Sequence, residues 1–207
     1  PLNRQSDIFA GEGVELDVST LADWVGACAA TLMPLRDAIE KHAHSAARLH
    51  VDDTPVPVLA PGNGKTKTGR LWIYLRDERP HAGPAPPAVL YRYTPDRKGE
   101  HCRKHLAGFR GHLHADGYSG FAELYESAGD NPAAVTEVAC WAHVRRGFFD
   151  VHKATGSPIA REALERIGQL FDIERTIAGQ AADRRREIRR REVREKIDAL
   201  GQWLDHQ

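Results

Sequence analysis

LHADGYSGF, residues 113–121, is the stretch on which the reading of this chain turns. Asp116-Gly117 sits between short apolar runs, and both residue types tolerate the positive φ that a two-residue hairpin turn needs. An aspartate closing a buried strand is also a natural place to hold a metal ion. The two readings lead to different folds. A hairpin sends the chain straight back as an antiparallel strand, whereas a metal-holding strand end is followed by a helix or loop.

The flanking sequence weakens the hairpin reading by placing a helix, not a strand, after this stretch. Before this stretch, RLHV (48–51) reads as a short strand ending in Asp52-Asp53-Thr54, with Pro55 and Pro57 limiting its extension. PGNG (61–64) is a loop, LWIYLRD (71–77) a second strand, the Pro-rich HAGPAPP (81–87) another loop, and AVLYRYT (88–94) a third strand. His101 to Phe109 reads as a short helix, and GHLHAD (111–116) as a fourth strand. Phe121 to Ser127 is helical again, and VTEVACW (135–141) is a fifth strand leading into a helix near Arg145. Three strands, then helix, strand, helix, strand and helix, is a mixed α/β order. It is the order of a ribonuclease H-like sheet flanked by helices, in which the first and fourth strands lie side by side at the centre and carry metal-binding acids. Here those strands end in Asp52 and Asp116.

Alternation puts His50 and Asp52 on one face of the first strand, and His112, His114 and Asp116 on one face of the fourth. If the two strands are neighbours, the carboxylates converge. Hard oxygen ligands of this kind suit Mg2+ or Mn2+, which keep several waters and accept phosphate oxygens as further ligands. The competing reading keeps Asp52-Asp53-Thr54 as a turn cap and Asp116-Gly117 as a hairpin.

At either end the chain reads as helical. Ser19-Thr20 is placed to cap a run in which Leu21, Trp24, Val25, Cys28 and Leu32 recur at helical spacing; Pro34 offers a kink, and Leu35 to His44 continue the helix. After about residue 158, Ile159, Ala163, Ile167, Leu170 and Phe171 form one apolar stripe and Val193, Ile197, Leu200 and Leu204 another, with Gly179 between them as the bend of a helical hairpin. The division is then a helical connector (1–46), a partial catalytic core (47–157) and a helical insertion or tail (158–207).

The 207 residues suit one core with extensions. Apolar residues make up 41 % and charged residues 28 %, an ordinary composition. No run of about 18 apolar residues occurs and nothing resembles a signal peptide, so the expectation is a cytoplasmic protein with no membrane partner. Three scattered cysteines make no disulfide framework. Formal net charge is zero, so overall basicity gives no argument for a nucleic-acid partner. The positive charge is local, however. Arginine far outnumbers lysine and concentrates in DRRREIRRREVREK (183–196), where interleaved glutamates allow ion pairs along the helix. That run reads either as a solvated or intersubunit helix or as a DNA-contacting face. Lys65, Lys67 and Arg70 in GNGKTKTGR (62–70), and Arg145-Arg146 after the fifth strand, are further candidates for phosphate contact, with plain solvent exposure as the alternative. Cys140-x-x-His143, with His101, Cys102 and His105 elsewhere, lacks the second pair of a structural zinc site. The other reading buries Cys140 at a strand end and lets His143 orient a neighbour or touch substrate.

PLNRQ at the start, STLADWV (19–25), LHVDDTPVPVL (49–59), LWIYLRD, VLYRYTPDRKGEH (89–101), LAGFRGHLHADGYSGF (106–121) and CWAHVRRGFF (140–149), in this order, resemble the insertion-sequence-sixty-six transposase family of bacteria. The resemblance implies a DDE-type transposase with a ribonuclease H-like core. Such an enzyme uses Mg2+ or Mn2+ to cut DNA at insertion-element ends and join the freed 3′ hydroxyl to target DNA, in the bacterial cytoplasm at the nucleoid, with a homo-oligomer as one arrangement. By motif, Asp52 corresponds to the first catalytic acid and Asp116 to the second. The family usually has Glu where this chain has Asp53, and no catalytic role is carried onto it. Cys140-x-x-His143 resembles a motif that follows the second acid in related cut-and-paste transposases. The family's third acid, a glutamate beyond a helical insertion, has no counterpart before Gln207; Glu162 and Glu165 are the substitutes on offer. The expectation is therefore a fragment that is impaired alone, with a non-catalytic DNA-binding or assembly fragment as the alternative.

Overall fold

The computed structural model describes residues 2–62, 64–127 and 133–207; Pro1 of PLNRQ and Asn63 of the PGNG loop lie outside them. Contacts divide the chain into two compact units, 1–42 and 43–207.

The first unit holds α1 (Leu2–Gly11) and most of α2 (Val18–His44). The sequence left α1 unassigned. Ser19 and Thr20 lie inside α2 rather than capping it, because the helix already runs from Val18 and the Leu21 N–H reaches the Asp17 carbonyl. Pro34 is accommodated within the same helix. By length and composition alone α2 is apolar enough to cross a bilayer, a test that core helices and signal sequences also pass.

The second unit is built on five strands: β1 (Arg48–Val58), β2 (Lys67–Arg76), β3 (Ala88–Thr94), β4 (Gly111–Ala115) and β5 (Val135–Ala139), in spatial order β3-β2-β1-β4-β5. The first three form an antiparallel meander, and β1–β4 and β4–β5 are parallel. The first and fourth strands are central neighbours, as the element order anticipated. Because β4 and β5 are parallel, Asp116-Gly117 is no hairpin. Gly117 takes φ +80° and passes the chain into a 3-10 turn, Ser119–Tyr125.

β1 is much longer than the short strand expected from RLHV. It runs through both aspartates and both prolines, pairing Pro55 with Arg70 and Pro57 with Thr68. The reason is positional. The ladder with β4 ends at His50–His114, so from there on one edge of β1 is unpaired. Prolines two residues apart present their missing N–H to the same edge, and an open edge tolerates that loss.

One face of the sheet carries the core. Leu49 and Val51 of β1, Trp72 and Tyr74 of β2, Leu90 of β3, and Leu113 and Ala115 of β4 are buried there with Cys102 and Leu106 around α3 (Gly99–His105), and with Phe109 and Phe121. Trp72 and Tyr74 are fully buried, which requires partners for their polar atoms. The indole N–H donates to Thr94 Oγ1 at 2.8 Å, and the Tyr74 hydroxyl meets His105 Nδ1 at 2.8 Å.

Beyond β5 come α4 (Trp141–Thr155), α5 (Pro158–Thr176), α6 (Ala182–Ile188), a π-helical turn (Arg189–Val193) and α7 (Arg194–Leu204). Gly156 at φ +67° ends α4, and Ser157 Oγ caps α5 by accepting the Ala160 N–H. The α5 stripe is buried at Ala163, Ile167 and Leu170, while its end members Ile159 and Phe171 are exposed. Gly179 bends the hairpin at φ +78°.

Gly111 opens β4 at φ +138°, and a Cβ there would meet the Ala47 carbonyl oxygen at 2.5 Å. Gly111→Ala is expected to cost about 2–4 kcal/mol of stability from combined backbone strain and overpacking. Gly147→Ala, inside α4 with nothing within 4 Å, should be neutral or stabilising by up to about 1 kcal/mol. Urea denaturation of the two variants checks the contrast.

Candidate active site

The parallel pair β1–β4 delivers its acids to one end of the sheet. Asp52 and Asp53 continue β1 beyond His50, and Asp116 follows directly on β4, two residues beyond His114 just as Asp52 is two beyond His50. Adjacent strand residues face opposite ways, so the aspartate doublet is split between the two faces of the sheet. Asp53 falls on the core face with Leu49 and Val51, and Asp52 on the other face with His50.

Asp53 is the buried member, its side chain 3 % exposed. It stands opposite Trp72 in the β1–β2 ladder, which brings Arg70, two residues along β2, onto the same face. Arg70 Nη1 lies 2.9 Å from Asp53 Oδ2. The other oxygen, Oδ1, accepts from Arg97 Nε at 2.9 Å and lies 2.7 Å from Arg97 Nη2. A buried carboxylate held by two guanidinium groups satisfies the requirement that buried charge be paired.

Arg97 also links the two central strands. The same Nη2 reaches Asp116 Oδ2 at 3.1 Å, and the guanidinium lies over the Tyr118 ring, 4.1 Å from its centroid. The Tyr118 hydroxyl in turn donates to the Arg97 carbonyl. The loop that presents Arg97 is itself fixed: Thr94 Oγ1 donates to the Asp96 carbonyl at 2.6 Å, and Asp96 Oδ1 accepts the Lys98 N–H and meets His101 Nε2 at 2.7 Å. Burial opposes the charge on Arg97, but the Asp53 hydrogen bond and the attraction of Asp53 and Asp116 outweigh it, so the guanidinium is held more firmly protonated than usual. Burial raises the Tyr118 phenol above its ordinary range, keeping it a neutral donor.

Asp116 is fixed from both sides. Oδ1 accepts the Tyr118 N–H at 3.0 Å in an Asx turn, and Oδ2 takes the Arg97 contact. Two lone-pair sites of the carboxylate remain uncommitted. Asp52 is freer still. It is exposed, and its one side-chain hydrogen bond among the described residues accepts the Asp53 N–H at 2.8 Å. The structure thus ties Asp116 to Asp53 through the shared Arg97 guanidinium; among the described residues no hydrogen bond joins Asp52 to Asp116, which occupy corresponding positions past the last paired residues of their strands. Sequence reasoning gave Asp53 no part and missed Arg97 and Tyr118. The signal was present in TPDRKGEH and DGY, but a side chain's partner 44 residues away is not written in either motif.

His50 and His114, paired in the ladder, meet across the Asp52 face at 2.8 Å between their Nδ1 atoms. One must donate and one accept, so the pair cannot be doubly protonated. Burial, then the neighbouring His114 and His81, lower the His50 pKa.

The remaining candidates are dispersed. Arg70 gives its charge to Asp53 rather than presenting it to solvent, while Lys65 and Lys67 are exposed. Arg145 and Arg146 are exposed on α4 and border a cavity shared with Phe171 and Asp172 of α5. Cys140 is half-buried at the start of α4, and His143 Nδ1 is buried with no hydrogen-bond partner among the described residues. His101 is engaged by Asp96, His105 by Tyr74, and Cys102 lies in the core, where burial pushes its thiol up to about 12. Among the described residues no group of three or more His, Cys, Asp or Glu side chains is arranged to hold a metal. Glu162 and Glu165 are spent in exposed i,i+4 ion pairs with Arg166 and Arg161 on α5.

The family model described as "Transposase IS66 family" matches residues 1–207, and the chain belongs to that family. Similar proteins include three from Sinorhizobium fredii (strain NBRC 101917 / NGR234). The uncharacterized protein y4hP is 45 % identical over 99 % of this chain and 39 % of its own length. The uncharacterized protein y4jD is 41 % identical over 91 % of this chain and 37 % of its own length, and y4qI is 38 % identical over 91 % and 35 %. The chain therefore spans well under half the length of these relatives.

Removing one partner of a buried charge cluster leaves the others uncompensated. Asp53→Ala is expected to cost about 3–5 kcal/mol, and Asp52→Ala, at an exposed position, to stay within about 0.5 kcal/mol; chemical denaturation distinguishes them. A second expectation concerns acid. A histidine whose folded pKa is lowered binds its proton more readily when unfolded. Stability is thus unaffected above the unfolded value and falls as pH drops below it toward the folded one. His50→Asn should flatten the loss of stability between about pH 7 and pH 5 relative to wild type, as read from melting temperatures.

Proposed function

We propose that this chain carries the first two metal-binding acids of a DDE-type DNA transposase, Asp52 and Asp116, on a ribonuclease H-like core. The observation that carries the reading is the sheet itself: order β3-β2-β1-β4-β5, antiparallel through the first three strands and parallel from β1 to β5, with carboxylates just past the last rungs of the central pair. Residues 47–157 are the catalytic core in this reading, and the helices after residue 158 the insertion.

The donor set fits a divalent cation of the Mg2+ or Mn2+ class. Both groups are hard oxygen donors. Asp52 is almost uncommitted, and Asp116 keeps two lone-pair sites while being held in place. Asp53 suits a different task. With both oxygens taken by arginine it is a positioning residue, anchoring Arg97 and through it Asp116. A bound ion would polarise the phosphodiester and activate the attacking oxygen. Asp52 and Asp116 would hold it, Tyr118 and Arg97 would orient Asp116, and the His50–His114 pair would border Asp52.

The third acid is supplied, in this reading, by the longer chain that relatives have. DNA, as element ends and target, is the partner, and the cytoplasm the place of action. The test uses a chain of relative-like length carrying these residues, assayed for Mg2+- or Mn2+-dependent nicking of element-end DNA. Asp52→Asn and Asp116→Asn should each lower the rate by more than roughly a hundredfold, since outer-shell partners alone are worth 10–100-fold. Asp53→Asn should act through lost stability. Full activity in either of the first two variants overturns the assignment.

A further inference from the structure

The C-terminal helices and the start of β1 enclose a groove of about 920 Å³ that the acid site does not use. Arg186, Arg190 and Arg194 line it at four-residue spacing, about 6 Å apart along the helix axis. Arg48, Arg189 and His81 line it as well. The π-helical turn Arg189–Val193 lies within this row, and such turns are frequent at functional sites.

What separates Arg48, Arg186 and Arg190 from their neighbours is that no ion pair is formed by them among the described residues. Along the same helices Arg184 pairs with Glu187, Arg191 with Glu192 and Arg189 with Glu174, each at 2.6 Å. Arg194 lies 3.8 Å from Asp198, which with Asp183 is the acidic part of the groove lining. Arg48, Arg186 and Arg190 are exposed and have no ion pair among the described residues. Three unspent guanidinium groups thus face one groove. The field there is felt by His81, whose pKa is lowered by burial and then by Arg48, Arg185 and Arg189.

The groove is also placed on the useful side of the sheet. Strand alternation puts Arg48, His50 and Asp52 on one face. Four residues of strand separate Arg48 from Asp52, roughly 13 Å, or about four nucleotide steps of a duplex strand.

We propose that this groove binds the phosphate backbone of duplex DNA through Arg48, Arg186 and Arg190, at a fixed distance from Asp52. The choice of DNA over another polyanion rests on the transposase reading; the placement of the site does not.

The test is fluorescence anisotropy of this chain with a labelled duplex of about 20 base pairs, in EDTA, between about 50 and 200 mM salt. EDTA removes any metal, so binding is read independently of Asp52 and Asp116. Arg48→Ala with Arg186→Ala and Arg190→Ala should weaken binding at the lower salt by about tenfold or more and reduce the log K against log salt slope by about 2.7, at roughly 0.9 per contact. The corresponding triple lysine variant should retain the slope. Arg161→Ala with Arg175→Ala, which removes exposed arginines paired elsewhere on α5, should change neither quantity. If circular dichroism shows the triple alanine variant to be unfolded, each single variant should still lower the slope by about 0.9. Unchanged affinity and slope in the alanine variants, or no binding by wild type at the lower salt, overturns the proposal. Binding that survives Asp52→Asn with Asp116→Asn keeps the groove even where the metal-site reading fails.

Discussion

The site depends on where the β1–β4 ladder stops. Three paired positions, Arg48–His112, Leu49–Leu113 and His50–His114, bind the two strands in parallel, and beyond them the two part from each other, β1 remaining paired only with β2. That short ladder has two consequences. It leaves one edge of β1 unpaired, where Pro55 and Pro57 can be carried within a strand, and it releases Asp116 from the sheet so that Gly117 can turn the chain aside. What then holds the loosened ends together is electrostatic. Arg97 reaches across from the loop after β3 and ties Asp53 to Asp116, with Tyr118 packed against its guanidinium.

This arrangement divides labour within an aspartate doublet. Two adjacent strand residues cannot face the same way, so one carboxylate must enter the core side and the other the solvent side. The inward one is charged, buried and costly unless paired, and it is paired twice. The outward one is left free for other chemistry. A buried acid held by arginines and an exposed acid with its oxygens largely uncommitted can therefore sit side by side in sequence.

Much of this was legible beforehand because it rests on local pattern. The third strand, the two strands flanking Asp116, and the helices around Ala163 and Leu200 follow from periodicity, and the parallel β1–β4 pairing follows from element order. The errors arose where a local rule met a tertiary exception. Proline predicted a short first strand, but the open edge removed the penalty. Ser19-Thr20 looked like a cap, but α2 begins one residue earlier. Asp116-Gly117 had the composition of a hairpin, yet only its positive-φ glycine was used. Arg97 and the true partner of Arg70 were out of reach, since nothing in a sequence states which guanidinium will meet which carboxylate across the sheet.

The proposed division of roles places a metal ion on Asp52 and Asp116 and leaves Asp53 to its arginines. Anomalous scattering from crystals of this chain soaked in Mn2+ locates the ion. A peak is expected within coordination distance of oxygens of both Asp52 and Asp116, with Asp53 still paired to Arg70 and Arg97. A peak coordinated by Asp53 in place of Arg97, or Mn2+ bound only elsewhere on the molecule, would contradict it.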